Sequence, residues 1–176
     1  MRKFFIIAIL LPILGSCGKL SELTRFDLNY STSVTLPATL GINLPFTVYT
    51  PSIKTNTESV LQVNDTRKDL IEEVTLKSAV LTITDPAGDD FSFLKSIEVY
   101  ISADSLEEFR VAWRSGITND IGDTLHLSAV PDDLKEYIMA DSFVLTVKTV
   151  TDEILSHDYE VQIDAVFGVD ARILGL

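Results

Sequence analysis

The chain has 176 residues, with 14 Lys+Arg against 26 Asp+Glu and a formal net charge of −12. That length suits one domain of ordinary size; an apolar share of 46% excludes a disordered chain, and the acidic balance excludes nucleic-acid binding, which needs Lys/Arg clusters against phosphates. The only cysteine, Cys17, excludes an internal disulfide and a structural zinc site built on Cys pairs.

The first element is a leader. Arg2 and Lys3 are basic, Phe4 to Leu14 is an apolar run interrupted by Pro12, and Gly15-Ser16-Cys17 follows. A bilayer core needs ~20 apolar residues, so this run is too short to span permanently, and its basic start and small residues mark a secretory signal. Leu14-Gly15-Ser16-Cys17 resembles the lipobox of bacterial lipoproteins. The resemblance implies diacylglyceryl transfer to the Cys17 sulfur, cleavage before Cys17 and acylation of the new amino terminus. Residues 1–16 are then the signal peptide, 17–24 the acylated Cys and a short tether, and 25–176 a single domain. Cys17 is expected as a lipid attachment and not as a catalytic thiol, the partner being the membrane itself. Two or three acyl chains anchor stably where one does not, each buried methylene adding ~0.8 kcal/mol. The tether Gly18–Thr24 reaches at most ~25 Å, which keeps the body near the bilayer. An acidic domain is repelled by anionic headgroups, so the acyl chains alone are expected to hold it. In Bacteroidota lipoproteins an acidic run just after the acylated Cys resembles a surface-export signal. Gly18-Lys19-Leu20-Ser21-Glu22 lacks one, so a periplasm-facing outer-membrane lipoprotein is expected.

Beyond the tether the period is two. Phe26, Leu28, Tyr30, Thr32, Val34 and Leu36 alternate with polar residues, the pattern of a half-buried strand. Leu44 to Tyr49, bracketed by Pro45 and Pro51, suits an edge strand. Val60, Leu61 and Val63 leave a strand and a turn both open. Asn64 or Asp65 is expected to cap a short helix with Leu70, Ile71 and Val74 on one face. Ala79, Leu81 and Ile83 form a strand leading into a turn, Asp85-Pro86-Ala87-Gly88-Asp89-Asp90. Phe91 to Leu94 continues as strand, followed by Ile97, Val99 and Ile101. Phe109 to Trp113 is another strand, with Trp113 expected in the core beside Phe109 and Val111. Ile117 to Asp123 is a polar loop and Thr124 to Ser128 a short strand. Pro131-Asp132-Asp133 opens a second short helix whose buried face is Leu134, Tyr137 and Ile138. Phe143 to Val150 reads as a strand covered on both faces. Tyr159 to Ile173 alternates for so long that a bulge or bend is expected, at Gly168. About eight strands with two short crossover helices and no βαβ rhythm give an all-β fold, a two-sheet antiparallel β-sandwich, immunoglobulin-like or related.

Chemistry is sparse. His126 and His157 are the only histidines, neither has a second ligand at metal spacing, and both are expected to be ordinary strand or loop residues. There is no nucleophile elbow, P-loop or dinucleotide fingerprint, and no catalytic residue or cofactor is expected. A glycosidase needs two carboxylates ~5–9.5 Å apart, which an acid-rich chain cannot single out. Two acidic loops offer oxygens of the kind calcium takes: Asp85, Asp89 and Asp90 around Gly88, and Asn119, Asp120 and Asp123 around Gly122. Tight turns use the same residues, and turns are the expectation. Asp104-Ser105-Leu106 and Asp123-Thr124-Leu125 resemble the acceptor motif of O-glycosylated Bacteroidota envelope proteins, which would make Ser105 and Thr124 glycosylation sites.

Three runs are similar to a group of uncharacterised all-β Bacteroidota envelope lipoproteins: Phe91 to Glu98, Leu134 to Ile138, and Val169 to Leu174. The resemblance implies an all-β envelope lipoprotein and brings no catalytic residue. The sequence therefore reads as a lipid-anchored, non-enzymatic β-sandwich that binds another envelope protein or glycan. Two alternatives stand beside it: a carrier of an apolar ligand between the sheets, sunk by a tightly filled core, and a hydrolase with an unrecognised carboxylate site.

Overall fold

The computed structural model describes residues 24–38, 43–64 and 66–172. Cys17 and the expected leader lie outside these residues, as do Asp65 and Ile173. Among the described residues ten strands form two antiparallel sheets. The strands are β1 (Arg25–Leu36), β2 (Pro45–Tyr49), β3 (Ile53–Lys54), β4 (Ile71–Asp85), β5 (Leu94–Ala103), β6 (Leu106–Ser115), β7 (Thr124–His126), β8 (Ser128–Ala129), β9 (Ser142–Thr151) and β10 (Tyr159–Ala171). Two short helices accompany them, α1 (Thr57–Val63) and α2 (Lys135–Met139). One sheet runs β1-β10-β4-β7; the other runs β2-β9-β5-β6-β8, with β3 also on β9. The expected two-sheet all-β architecture is the one observed, with more strands than the periodicity resolves.

Alternation builds the first sheet. In β10 every odd-numbered residue from Tyr159 to Ala171 is buried and every even one half-buried. β1 matches it, with Leu28, Val34 and Leu36 buried, and pairs with it from Arg25↔Asp170 to Leu36↔Tyr159 without a break. β4, on the other side, buries Ile71, Val74, Leu76, Ala79, Leu81 and Ile83. Its two apolar spacings of three are not a helix. Glu72, Lys77 and Thr84 are extra residues facing unbroken stretches of β10, three bulges at Asp170/Ala171, Val166/Phe167 and Glu160/Val161. Each bulge shifts the side-chain parity by one, so an apolar step of three keeps both residues inside. The expected helix over Leu70–Val74 is instead a 3-10 turn, Lys68–Leu70, running into β4. Gly168 itself pairs regularly with Asp27 and Thr75, and the nearest bulge is on β4, where Lys77 faces the Val166/Phe167 step.

Gly168 has a different task. A Cβ there would stand 2.7 Å from Lys77 Cδ. The lysine crosses this bare position to donate from Nζ to Asp27 at 2.8 and 3.0 Å, Asp27 being the residue paired with Gly168.

The second sheet has β9 near its centre. Phe143, Leu145, Val147, Thr149 and Thr151 face inward, and Thr146 is buried on the other face. Neighbouring side chains cover that outer face, not another layer of backbone. β2 is the expected edge strand. The segment read as one strand, Thr124–Ser128, is split: β7 pairs with β4 and β8 with β6, so the chain passes between sheets at Leu127. Phe91–Phe93 is a 3-10 turn and not strand. Val60–Val63 belongs to α1, where only Leu61 and Thr57 are buried. Its β-branched residues read as strand or turn, and a helix of two turns carries too little periodicity to correct them. α2 lies where expected, with Leu134 and Ile138 buried. Asp133 fixes it to β4, its carboxylate accepting from the backbone N–H of Val74 and of Lys135, each at 3.0 Å.

Aromatic rings from both sheets meet in the buried core. Phe143 of β9 meets Phe167 of β10 and Tyr30 of β1 edge-on, with ring centroids 6.2 and 5.1 Å apart, contacts worth ~0.5–1.5 kcal/mol each beyond their area. Burial pushes the Tyr30 phenol up to about 12, and its hydroxyl donates to the Thr55 carbonyl at 3.0 Å.

Candidate binding surface

The outward side chains of the six-stranded sheet form two adjacent cross-strand rows. Register places Tyr49, Thr146, Tyr100 and Arg110 in one row, and Thr47, Lys148, Glu98, Trp113 and Ser128 in the next. With neighbouring strands ~4.8 Å apart, Tyr49 and Tyr100 stand ~10 Å apart across β9.

Trp113 is not in the core. A register shift lets β6 accommodate both Val111 and Ala112 as buried residues between Arg110↔Tyr100 and Ala112↔Val99. The following residue, Trp113, is thereby turned outward and is 39% exposed. Tyr49, on the edge strand, is 67% exposed. The sequence signal for Trp113 was a shared parity with Phe109 and Val111, and the bulge breaks that parity.

Charges hold the centre of this face in place. Arg110 donates to Glu98 at 2.7 Å, and Tyr100 donates its hydroxyl to the same carboxylate at 3.0 Å. Lys148 is bonded to Glu108 and sits 3.8 Å from the centroid of the Tyr100 ring. The Arg110 hydrogen bond holds the Glu98 carboxyl below its usual range, and the Lys148 hydrogen bond does the same for Glu108. Desolvation, then the Glu98 carboxylate, raises the Tyr100 phenol. The result is a fixed polar centre flanked by two exposed aromatic rings. Aromatic rings with nearby fixed donors and acceptors can take a sugar face, a peptide or another protein surface.

The other outer face differs. Its rows, such as Ser31-Asp164-Val80-His126 and Ser33-Gln162-Thr82-Thr124, are mostly short and polar. His126 is exposed there, at the edge strand β7.

His157 lies at the end of the sandwich, in the β9–β10 loop. Its Nε2 is 3.0 Å from Asp89 Oδ2 and its Nδ1 is 2.9 Å from Ser156 Oγ. Asp89 as a carboxylate only accepts, so neutral His157 carries its proton on Nε2 and accepts from Ser156. Hydroxyl, imidazole and carboxylate thus stand in the order of a hydrolase relay. All three are surface groups: the His157 and Asp89 side chains are 42% and 36% exposed. The same Asp89 oxygen accepts from Tyr159 at 2.9 Å, and the His157 ring stacks on Tyr159 at 4.7 Å. These contacts clamp the β9–β10 loop to the Asp85–Asp90 turn.

The remaining acidic loop residues work as turn and cap groups. Asp90 accepts from the Ser92 N–H at 2.9 Å, hydrogen bonding that lowers its pKa. Asp85 ends β4 opposite Glu160. Asp120 accepts from the Thr118 hydroxyl and Asp123 from the Thr124 hydroxyl at 3.1 Å; Asn119 is exposed beside them. Phe91 N–H to Gly122 O, 3.2 Å, ties this loop to the first. Among the described residues no group of three or more His, Cys, Asp or Glu is placed to hold a metal ion. Of the two glycosylation candidates, Ser105 is exposed at the two-residue β5–β6 turn with φ 62°. Thr124 is half-buried at the start of β7.

Among the described residues no helix is long and apolar enough to cross a membrane. No family model matches the sequence, and no curated protein matches it. Among solved structures, that of Desmodium yellow mottle tymovirus is similar over 96% of this chain and 97% of its own, at 14% identity and a TM-score of 0.27. An empty head of turnip yellow mosaic virus is similar over 99% and 92%, at 12% identity and a TM-score of 0.25.

Proposed function

We propose that the protein is a lipid-anchored cell-envelope subunit, held in the outer membrane through Cys17 and facing the periplasm, which binds a partner without catalysis. The observation that supports it is the coincidence of the chain's sole cysteine with the lipobox position, eight residues before Arg25, where β1 begins. The rigid outer face of the six-stranded sheet is the recognition surface. Its aromatics are displayed rather than packed, and its charges are mutually satisfied, so little side-chain freedom is lost on contact. The partner is another envelope protein or glycan.

The test is in-cell photocrosslinking of the full chain with the reactive group at position 113, and at position 164 on the opposite face. A discrete adduct from 113 alone, lost with Tyr49→Ala and kept with His157→Ala, is the expected result. Equal adducts from both faces, or none, would sink the assignment of this face. Loss of the protein from membranes on Cys17→Ala tests the anchor separately.

A further inference from the structure

We infer that the end of the sandwich where β1 begins rests on the bilayer, and that a cleft beside α1 takes the headgroup of a zwitterionic phospholipid, its phosphate and its ammonium. This rests on the anchored reading above.

Chain geometry sets the place. Ala171 N–H donates to Thr24 O at 3.2 Å and Arg172 N–H to Leu70 O at 2.7 Å. The entry of the chain, the end of β10 and the Lys68–Leu70 turn therefore share one end of the fold. A tether of seven residues reaches at most ~25 Å, so this end, and not the acidic loops at the other, lies against the membrane once Cys17 is acylated.

A cleft of about 420 Å³ lies at this end, lined by residues that include Lys54, Glu58, Gln62, Lys68 and Asp141. Lys68 Nζ is steadied by the Met139 carbonyl at 3.0 Å. Elsewhere the protein pairs its charges readily: Arg25 with Asp170, Arg67 with Asp69, Arg172 with Glu72. Here two ammonium groups and two carboxylates line one cleft, and no ion pair joins them among the described residues. Such an array complements a ligand that carries both signs a few ångströms apart. It suits an anionic headgroup poorly, because the two carboxylates and the chain's net charge of −12 oppose it. At the end of α1, next to Gln62, Val63 is 83% exposed. An apolar side chain beside a headgroup site is placed to enter the acyl boundary.

The experiment uses the acylated full chain with Val63→Cys, which adds the only thiol besides the lipidated Cys17, labelled with an environment-sensitive fluorophore. It is reconstituted in vesicles of phosphatidylethanolamine with phosphatidylcholine, or of phosphatidylglycerol alone. A several-fold emission rise is expected in the zwitterionic vesicles only, lost with Lys54→Ala or Asp141→Asn and kept with Lys95→Ala. Protein that floats with the vesicles while the label stays in water overturns this inference and leaves the anchor standing. Emission equal in both vesicle types, or higher in phosphatidylglycerol, overturns the headgroup assignment. Protein that does not float overturns the anchored reading and this inference together.

Discussion

β10 and β4 are hydrogen-bonded neighbours along nearly their whole length, yet they store the same information differently. β10 keeps strict alternation from Tyr159 to Ala171, so its sequence alone shows which side faces the core. β4 inserts Glu72, Lys77 and Thr84, and its buried positions change parity as they pass the first two. A regular strand next to a bulged one is a division of labour: one fixes the face, the other absorbs extra residues and adds local twist. The difference can be broken by deleting one residue from each strand.

Deletion of Val166 from β10 should have the largest effect. It turns either Tyr159–Ala165 or Phe167–Ala171 to the wrong face, and no bulge is available in that strand to compensate. The loss exceeds the whole stability of a typical domain, about 5–15 kcal/mol, so circular dichroism should show no cooperative thermal transition. Deletion of Lys77 from β4 should do far less. It joins Leu76, paired with Phe167, to Ser78, paired with Val166, and so restores a regular ladder with Leu76 and Ala79 still inside. The expected cost is about 1–2 kcal/mol, an ordinary single change, measured by urea unfolding. Equal collapse of both variants would show that the bulge itself is required.

The same contrast explains what could be read in advance. The alternating strands β1, β9 and β10 were legible because burial on one face writes a period of two directly into the sequence. α2 was legible because Pro131, Asp132 and Asp133 mark its start and Leu134 and Ile138 its buried face. β4 was misread near Ile71 because a bulge produces the step of three that a helix also produces. Trp113 was misplaced for the same reason, one register shift turning it from the core to solvent. Ion pairs such as Arg110–Glu98 and Lys148–Glu108 join side chains of different strands. They depend on strand order, and nothing in a one-dimensional pattern fixes that order. The His157–Asp89–Tyr159 clamp is hidden likewise, since its members are brought together across two loops and a strand end.

Alkaline pH should sharpen the comparison, because the inward face of this sheet buries phenols on β1 and β10 and none on β4. Burial raises Tyr30 to about 12, and burial with the Asp89 hydrogen bond raises Tyr159 to about 12. Both folded values lie above the unfolded value of 10.0. The folded state therefore holds the proton more tightly, and this stability is complete below pH ~10 and lost as pH rises toward ~12. Tyr30→Phe should cost about 0.5–1.5 kcal/mol at neutral pH, through the lost bond to Thr55 O, and should flatten the alkaline decline. An unchanged slope between pH 9 and 12 in chemical denaturation would show that Tyr30 is not one of the groups responsible.

The smallest effect tests whether the bulge at Lys77 and the bare position at Gly168 belong to one device. Gly168→Ala places a Cβ where Lys77 Cδ now lies, 2.7 Å away. Lysine is flexible, so the strand should keep its register while the lysine swings off and releases Asp27. The released pair is half-exposed, with side chains 54% and 42% accessible, and its loss should cost less than ~1 kcal/mol. Replacing a strand glycine by alanine returns roughly 0.5–1 kcal/mol of backbone entropy, so the net change in stability should be close to zero. Stability alone therefore cannot reveal the mechanism, but coupling can. Asp27→Asn should be mildly destabilising in the natural chain and neutral in the Gly168→Ala background, because there the pair is already broken. If Asp27→Asn costs the same in both backgrounds, Lys77 reaches Asp27 by a route that does not need Gly168, and the bulge and the glycine are independent features of adjacent strands.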